Sequence, residues 1–199
     1  THAIVNNLML FIMKKQLLLI VFFIGFFNTI NAQNDNLEKL LFNLPDVIFK
    51  KIETAQGFES AYELKVKQPI DHSDLSKGYF YQKAYLTHSG FDKPTVIITE
   101  GYSRNRNRVY ELTQLLNANQ IDVEHRFFGE SMPDSLNYNY LNLKQASADL
   151  HHIKQLFSTI YLKKWVSTGI SKGCSTTVFY RYFYPNDVDV SVPYVAPIN

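Results

Sequence analysis

Between Pro94 and Glu100 the chain reads Thr95-Val96-Ile97-Ile98-Thr99, five β-branched residues in a row. A run that short and nearly continuous is the pattern of a strand buried on both faces. Such a strand needs helices above and below its sheet, and the segments that follow supply them. Arg108 to Leu116 carries Val109, Leu112, Leu115 and Leu116 at helical spacing. Ile121-Asp122-Val123 reads as a short strand. Asn142 can cap a helix in which Gln145 takes the reciprocal capping-box position. Along that helix Ala146, Leu150, Ile153, Phe157 and Ile160 share a face. Trp165 to Thr168 is then a strand, Cys174 to Tyr184 a helix, and Val188 to Val195 another strand. Upstream, Glu38 to Leu44 reads as a short helix stopped by Pro45. Phe58 to Val66 and Tyr79 to Thr87 alternate as two strands of a hairpin, with a turn region between them. The expectation is an α/β fold with a mostly parallel sheet, helices on both faces, and chemistry at the carboxyl ends of the strands.

Composition narrows the partners. With 46% hydrophobic and 19% charged residues, wholesale disorder is excluded. A net charge of +2 is too near neutral to make nucleic acid the main partner. Arg104, Arg106 and Arg108 are therefore read as a solvated loop or a substrate-carboxylate contact. Cys174, the single cysteine, can form neither an internal disulfide nor a thiolate zinc site. His151 and His152, near Asp149, point about 100° apart on a helix and share a ligand poorly. No metal and no cofactor is expected. At the other end, Met13-Lys14-Lys15, an apolar stretch from Leu17 to Phe27 and Ala32 make residues 13–32 a signal peptide. The apolar run is short of the roughly 20 residues a membrane span needs. Residues 1–12 are read as upstream sequence and 33–199 as the domain. The expected destination is the cell envelope, periplasm or exterior, with no stable membrane insertion once the leader is removed.

The chemistry is concentrated in Gly169-Ile170-Ser171-Lys172-Gly173, a G-x-S-x-G pattern between a strand and a helix. A turn that tight brings neighbouring backbone close, so glycines two before and two after the serine remove side chains that would clash. The turn lifts the Ser171 hydroxyl above the sheet edge as a nucleophile. The backbone N–H of Lys172 supplies one donor for a developing oxyanion. A second donor is expected from the loop after Thr95–Thr99, at Gly101 or Tyr102. Glu100, in the same loop, has two readings: it binds a substrate's amino terminus, or it forms a local salt bridge, and the second leads. A Gly/Ser-rich junction without chemistry is the bland alternative for the whole motif.

An ordered set of further stretches resembles a known family. It comprises Gln68-Pro69-Ile70-Asp71-His72, Tyr79-Phe80-Tyr81-Gln82, and Glu124 through Pro133. It continues with Leu143-Lys144-Gln145-Ala146 and Asp149, the Ser171 turn, Tyr184 through Asp189, and Tyr194-Val195-Ala196-Pro197. Together they resemble the secreted bacterial tripeptidyl-aminopeptidases, the PS-ten type serine peptidases related to prolyl carboxypeptidase and dipeptidyl peptidase II. The resemblance implies an α/β-hydrolase fold, Ser171 as nucleophile, and a peptide substrate cut near its amino terminus. Cys174 departs from the family's usual further glycine, which bears on helix packing rather than chemistry. Glu124-His125-Arg126 is read as a hydrogen-bonded structural cluster beside the site.

A serine nucleophile in this fold takes its acid and then its His from later in the chain. Only 28 residues follow Ser171 and none is His, while Asp187 and Asp189 come too early to be the acid. The chain is therefore expected to be the amino-terminal part of a larger enzyme, without its last strands and lid, and inactive alone. An acyl hydrolase acting on esters, and a binding module that kept the turn without its chemistry, are the competing readings.

Overall fold

A computed structural model describes residues 36–197; the leader read at 13–32 and the upstream residues lie outside them. The chain divides into two compact units, residues 1–40 and 41–199. Residues 36–42 are helical, close to the short helix expected before Pro45. Everything below concerns the second unit.

Its strands are β1 (Val47–Ile52), β2 (Ser60–Pro69), β3 (Tyr79–His88), β4 (Thr95–Thr99), β5 (Asn119–Val123), β6 (Trp165–Ile170) and β7 (Val190–Tyr194). The helices between them are α1 (Glu111–Leu115), α2 (Leu143–Phe157) and α3 (Lys172–Phe183). All seven strands form one sheet in the order β1-β2-β3-β5-β4-β6-β7. β1, β2, β3 and β5 pair antiparallel in that succession, while β5, β4, β6 and β7 run parallel. Short turns allow the antiparallel side, and crossover segments carrying helices make the parallel side. This is the mixed sheet of a partial α/β-hydrolase fold.

β4 shows why the β-branched run belongs at the centre, since all five of its residues are buried. Val96 and Ile98 join Ala118 and Val166 in one cluster, onto which Tyr110, Leu112 and Val192 pack. The alternate residue Thr99 bonds to Thr177 on α3. Period-two alternation thus sends one set of β4 side chains towards α1 and the other towards α3, giving helices on both faces. Each fully buried Val or Ile contributes about 1.5–3 kcal/mol relative to exposure.

Three local expectations change. β1 was not foreseen, because Lys50 and Lys51 break the alternation; an edge strand open to water tolerates them, and β2 supplies its register. The helix from Arg108 shrinks to the five residues of α1. The capping box at Asn142 is half made. The Asn142 side chain accepts the Gln145 N–H at 3.0 Å, but the Gln145 side chain does not return to Asn142. It donates to Asp71 at 2.6 Å and accepts the His72 N–H at 2.9 Å. The turn after β2 offered it two partners where the cap offered one.

Candidate active site

The carboxyl ends of β4 and β6 frame the site. β6 ends at Ile170, α3 begins at Lys172, and Ser171 between them sits at φ 55°, ψ −120°. A non-glycine residue held there stores on the order of 1–3 kcal/mol. The Tyr194 carbonyl accepts the Ser171 N–H at 3.1 Å, and the Ser171 carbonyl accepts from Cys174 and Ser175 at 2.9 and 3.2 Å. The side chain of Ser171 is exposed, as an attacking group must be.

Two glycines make the turn possible. A Cβ on Gly169 would stand 2.6 Å from the Thr99 carbonyl oxygen and collide with the Gly173 carbonyl; one on Gly173 would collide with the same Thr99 oxygen. The strand end, the turn and the first helical residues are therefore in backbone contact. Thr99 also ties them through its hydroxyl, which lies 2.7 Å from the Gly173 carbonyl, 3.2 Å from that of Thr168 and 2.5 Å from the Thr177 hydroxyl. Motif reading did not single out Thr99. A hydroxyl at the carboxyl end of a β-branched, mostly apolar run was the available signal.

The loop after β4 lies against the start of α3. A Cβ on Gly101 would be 2.6 Å from Lys172 Cβ and 2.9 Å from the Gly173 nitrogen. Only glycine allows that approach. The Gly101 and Tyr102 N–H groups donate to no carbonyl among the described residues. The Lys172 N–H belongs to the first turn of α3, where N–H groups lack an intrahelical acceptor. These free donors, beside Ser171 at the positive end of a helix, suit an oxyanion. The Lys172 side chain extends over two rings, with Nζ 4.6 Å from the Tyr102 centroid and 4.4 Å from that of Phe128.

Glu100 is engaged locally. Its carboxylate accepts the Tyr110 hydroxyl at 2.5 Å and pairs with Arg104. Arg104 also donates its N–H to Glu124 at 2.6 Å, and its Nε stands 3.0 Å from Asp122 Oδ2. Neither Asp122 carboxylate oxygen completes a hydrogen bond, and burial pushes this carboxyl up to about 7. Next to this cluster a cavity of about 180 Å³ is lined by Tyr110, Leu112, Thr168, Ile170 and Tyr194 among others. A larger open groove of about 740 Å³ lies around Pro94, Trp165 and Asp189, where β4 and β6 begin, away from Ser171.

Glu124-His125-Arg126 forms the hydrogen-bonded cluster. The Glu124 carboxylate accepts the N–H groups of Arg104, Glu130 and Ser131 and the Ser131 hydroxyl. His125 donates its N–H to the Tyr102 carbonyl at 3.1 Å, which joins this loop to the Gly101–Tyr102 loop. Burial holds the His125 imidazole below its ordinary pKa. Arg126, 0% exposed, uses all five donors: two on Asp149 at 2.7 Å, and the others on the carbonyls of Pro69, Ile70 and Tyr140. His151, His152 and Asp149 do not converge. His151 bonds to Asp187 at 2.7 Å and His152 to Gln68 at 2.9 Å, while Asp149 holds Arg126 and His72. Of the arginine run, Arg104 is in the Glu100 cluster and Arg108 lies over the Tyr110 ring.

Residues 33–199 match the family described as PS-10 peptidase S37. The chain belongs to that family. Among curated relatives, the prolyl tri/tetrapeptidyl aminopeptidase of Streptomyces mobaraensis is 36% identical over 171 residues, covering 85% of this chain and 35% of the relative. The human lysosomal Pro-X carboxypeptidase is 24% identical over 156 residues, covering 68% and 32%. The S37 chain thus spans about a third of the length of these relatives. Among solved structures, acetyl xylan esterase 1 from Thermoanaerobacterium superposes with a TM-score of 0.55 at 13% identity, over 82% of this chain and 57% of that one. An acetyl xylan esterase from Paenibacillus gives 0.51, also at 13% identity, over 81% and 57%. At that identity the likeness is one of fold, and it agrees with the α/β-hydrolase fold of the S37 chain.

Proposed function

We propose that this chain carries the nucleophile and oxyanion half of a serine exopeptidase that cuts peptides near a free amino terminus. The observation that carries the reading is Ser171 held at φ 55°, ψ −120° on the turn between β6 and α3, with the Gly101 backbone against the same turn. Membership of the S37 peptidase family and the similarity to an enzyme named as a tri/tetrapeptidyl aminopeptidase support a peptide substrate.

In the reaction the Ser171 oxygen attacks the carbonyl carbon of the scissile bond and its proton passes to a general base. The carbonyl oxygen becomes an oxyanion that accepts from the Lys172 N–H and from Gly101 or Tyr102. The C–N bond then breaks, the amine leaves with the proton, and an acyl-enzyme remains for water to cleave. The base must be a group other than His125, which is buried, bonded to its neighbouring carbonyl at 3.0 Å and upstream of Ser171. No His follows Ser171 in this sequence, so the 199-residue chain alone is expected to show no Ser171-dependent turnover. The leader read at 13–32 supports export, with the reaction outside the cytoplasm.

The test compares tripeptide naphthylamides with nitrophenyl esters in the full-length protein, each with wild type and Ser171→Ala. Naphthylamide hydrolysis that Ser171→Ala abolishes supports the reading. Ester cleavage without peptide cleavage makes it an acyl hydrolase of another class, and turnover that survives Ser171→Ala removes the nucleophile.

A further inference from the structure

Lys172 touches the site twice. Its backbone N–H opens α3 beside Ser171, and its side chain runs back across the loop that holds the second donor. The side-chain stem packs on Gly101, where even a Cβ would be 2.6 Å from Lys172 Cβ and 2.8 Å from Cγ. The ammonium then lies 4.6 Å from the Tyr102 ring and 4.4 Å from the Phe128 ring. Those rings meet edge to face at 5.5 Å, and Phe128 meets the His125 ring in the same way at 5.6 Å. No carboxylate pairs with Lys172 among the described residues. An ammonium seated on two aromatic faces gains attraction that neither a solvated lysine nor an apolar side chain would.

We infer that the Lys172 side chain is a positioning residue, a cationic latch that holds the Gly101–Tyr102 loop at a set distance from α3. The inference rests on the proposed role of Ser171 for its meaning in catalysis, but the latch itself is a property of the fold. Three contacts converge on one loop: the stem on Gly101, the ammonium on Tyr102, and Phe128 bracing both from the 124–131 segment. The Tyr102 carbonyl, held by the His125 N–H at 3.1 Å, completes the link. Without the latch the Gly101 and Tyr102 donors are free to swing, and the oxyanion site widens by the amplitude of that motion. A displaced oxyanion donor loses part of its preorganised stabilisation, and a misplacement of about 1 Å can cost about a hundredfold in rate.

The His125 amide reports the latch without any turnover, because its acceptor is on the loop. Hydrogen exchange is followed by NMR in the full protein for wild type, Lys172→Met, Lys172→Arg, Phe128→Leu and the double variant Lys172→Met/Phe128→Leu. Lys172→Met is expected to speed His125 exchange about tenfold, with the amides of β4 and β5 unchanged. Lys172→Arg, which also stacks on aromatic faces, is expected to stay within about threefold of wild type. The double variant is expected to add little to either single change. Unchanged His125 exchange in Lys172→Met, or a rise shared equally by β4 and β5, overturns the latch. If Lys172→Met does not fold, Phe128→Leu tests the same link. In turnover the latch predicts kcat lower by about tenfold in Lys172→Met with KM within twofold. A raised KM at unchanged kcat makes Lys172 a substrate contact instead. Absence of any turnover bears on the role of Ser171 and leaves the exchange result standing.

Discussion

Two arginine–aspartate pairs, each with its aspartate fully buried, behave in opposite ways. At Arg126–Asp149 two nitrogens grip two carboxylate oxygens at 2.7 Å, His72 adds a third contact at 2.7 Å, and every remaining guanidinium donor has a carbonyl. Burial pushes Asp149 up, but Arg126 and His72 outweigh it and hold the carboxyl below its usual range. At Arg104–Asp122 one Nε approaches one oxygen at 3.0 Å without completing a hydrogen bond, and the rest of the guanidinium turns to Glu100 and the Tyr110 hydroxyl. Burial wins there, and Asp122 is pushed up to about 7. The first pair welds the β2 turn, α2 and the 124–131 segment together. The second lies under Glu100 and Tyr110, next to the turn where Ser171 stores backbone strain. A satisfied buried pair braces the scaffold, and an unsatisfied one lies near the strained turn of the candidate site.

The largest way to break this contrast is Arg126→Met. It strands the Asp149 carboxylate without its main partner and is expected to destabilise the fold by about 3–5 kcal/mol, read as a lower urea midpoint. A loss below about 1 kcal/mol would mean the weld carries no stability.

The pH dependence of the two aspartates is next in size, and their signs differ. Asp149 has a lowered folded pKa, so its contribution is present above the unfolded value near about 4 and fades as pH falls. Asp122 has a raised folded pKa, so the folded state holds its proton longer than the unfolded state. Stability is then highest when Asp122 is neutral, falls as pH rises from about 4 to about 7, and is level above. Burial sets this direction; among the charged neighbours Arg104 and Arg108 oppose it and Glu124 adds to it. Thermal melts of Asp122→Asn across that window should lose the downward slope, and an unchanged slope would assign it elsewhere.

Gly173→Ala follows. Its methyl meets the Thr99 carbonyl, and overpacking of that kind costs about 1–3 kcal/mol. An alanine there with wild-type stability would show that the turn has room to shift. The smallest effect runs the other way: Ser171→Gly removes the penalty at φ 55° and is expected to raise stability by about 1 kcal/mol while removing the nucleophile. A destabilised Ser171→Gly would show that the turn is not strained at all.

Much of the fold was legible locally. Thr95–Thr99 lies where its β-branched run put it, and β2, β3, β6 and α3 lie within a few residues of the expected spans. Each of these has a clear period or a turn signal at its boundary. The edge strand β1 had neither, because Lys50 and Lys51 interrupt an apolar pattern that only the pairing with β2 makes sense of. Gln145 shows a second kind of miss. Its spacing from Asn142 satisfies the capping box, and only the approach of Asp71 and His72 from a distant turn redirects it. At the site, Ser171, its two glycines and Gly101 could be named from spacing, since backbone proximity has a glycine signature. The ties that hold them, Thr99 to Thr177 and Lys172 to Phe128, join residues far apart in sequence and leave no local mark.

By itself the sequence determined the layered α/β class and the sharp turn at Ser171, because these depend on side-chain period and on where glycine replaces a bulkier residue; the family came from the resemblance of an ordered set of stretches. Tertiary structure alone decided which buried charges are satisfied. Arg126 and Arg104 are the same residue type, each with a buried aspartate in reach, and nothing local distinguishes them. Charge satisfaction depends on how many donors and acceptors arrive from other elements, and on their angles. Three carbonyls converge on Arg126, whereas Glu100, Asp122 and the Tyr110 hydroxyl divide the Arg104 guanidinium among them.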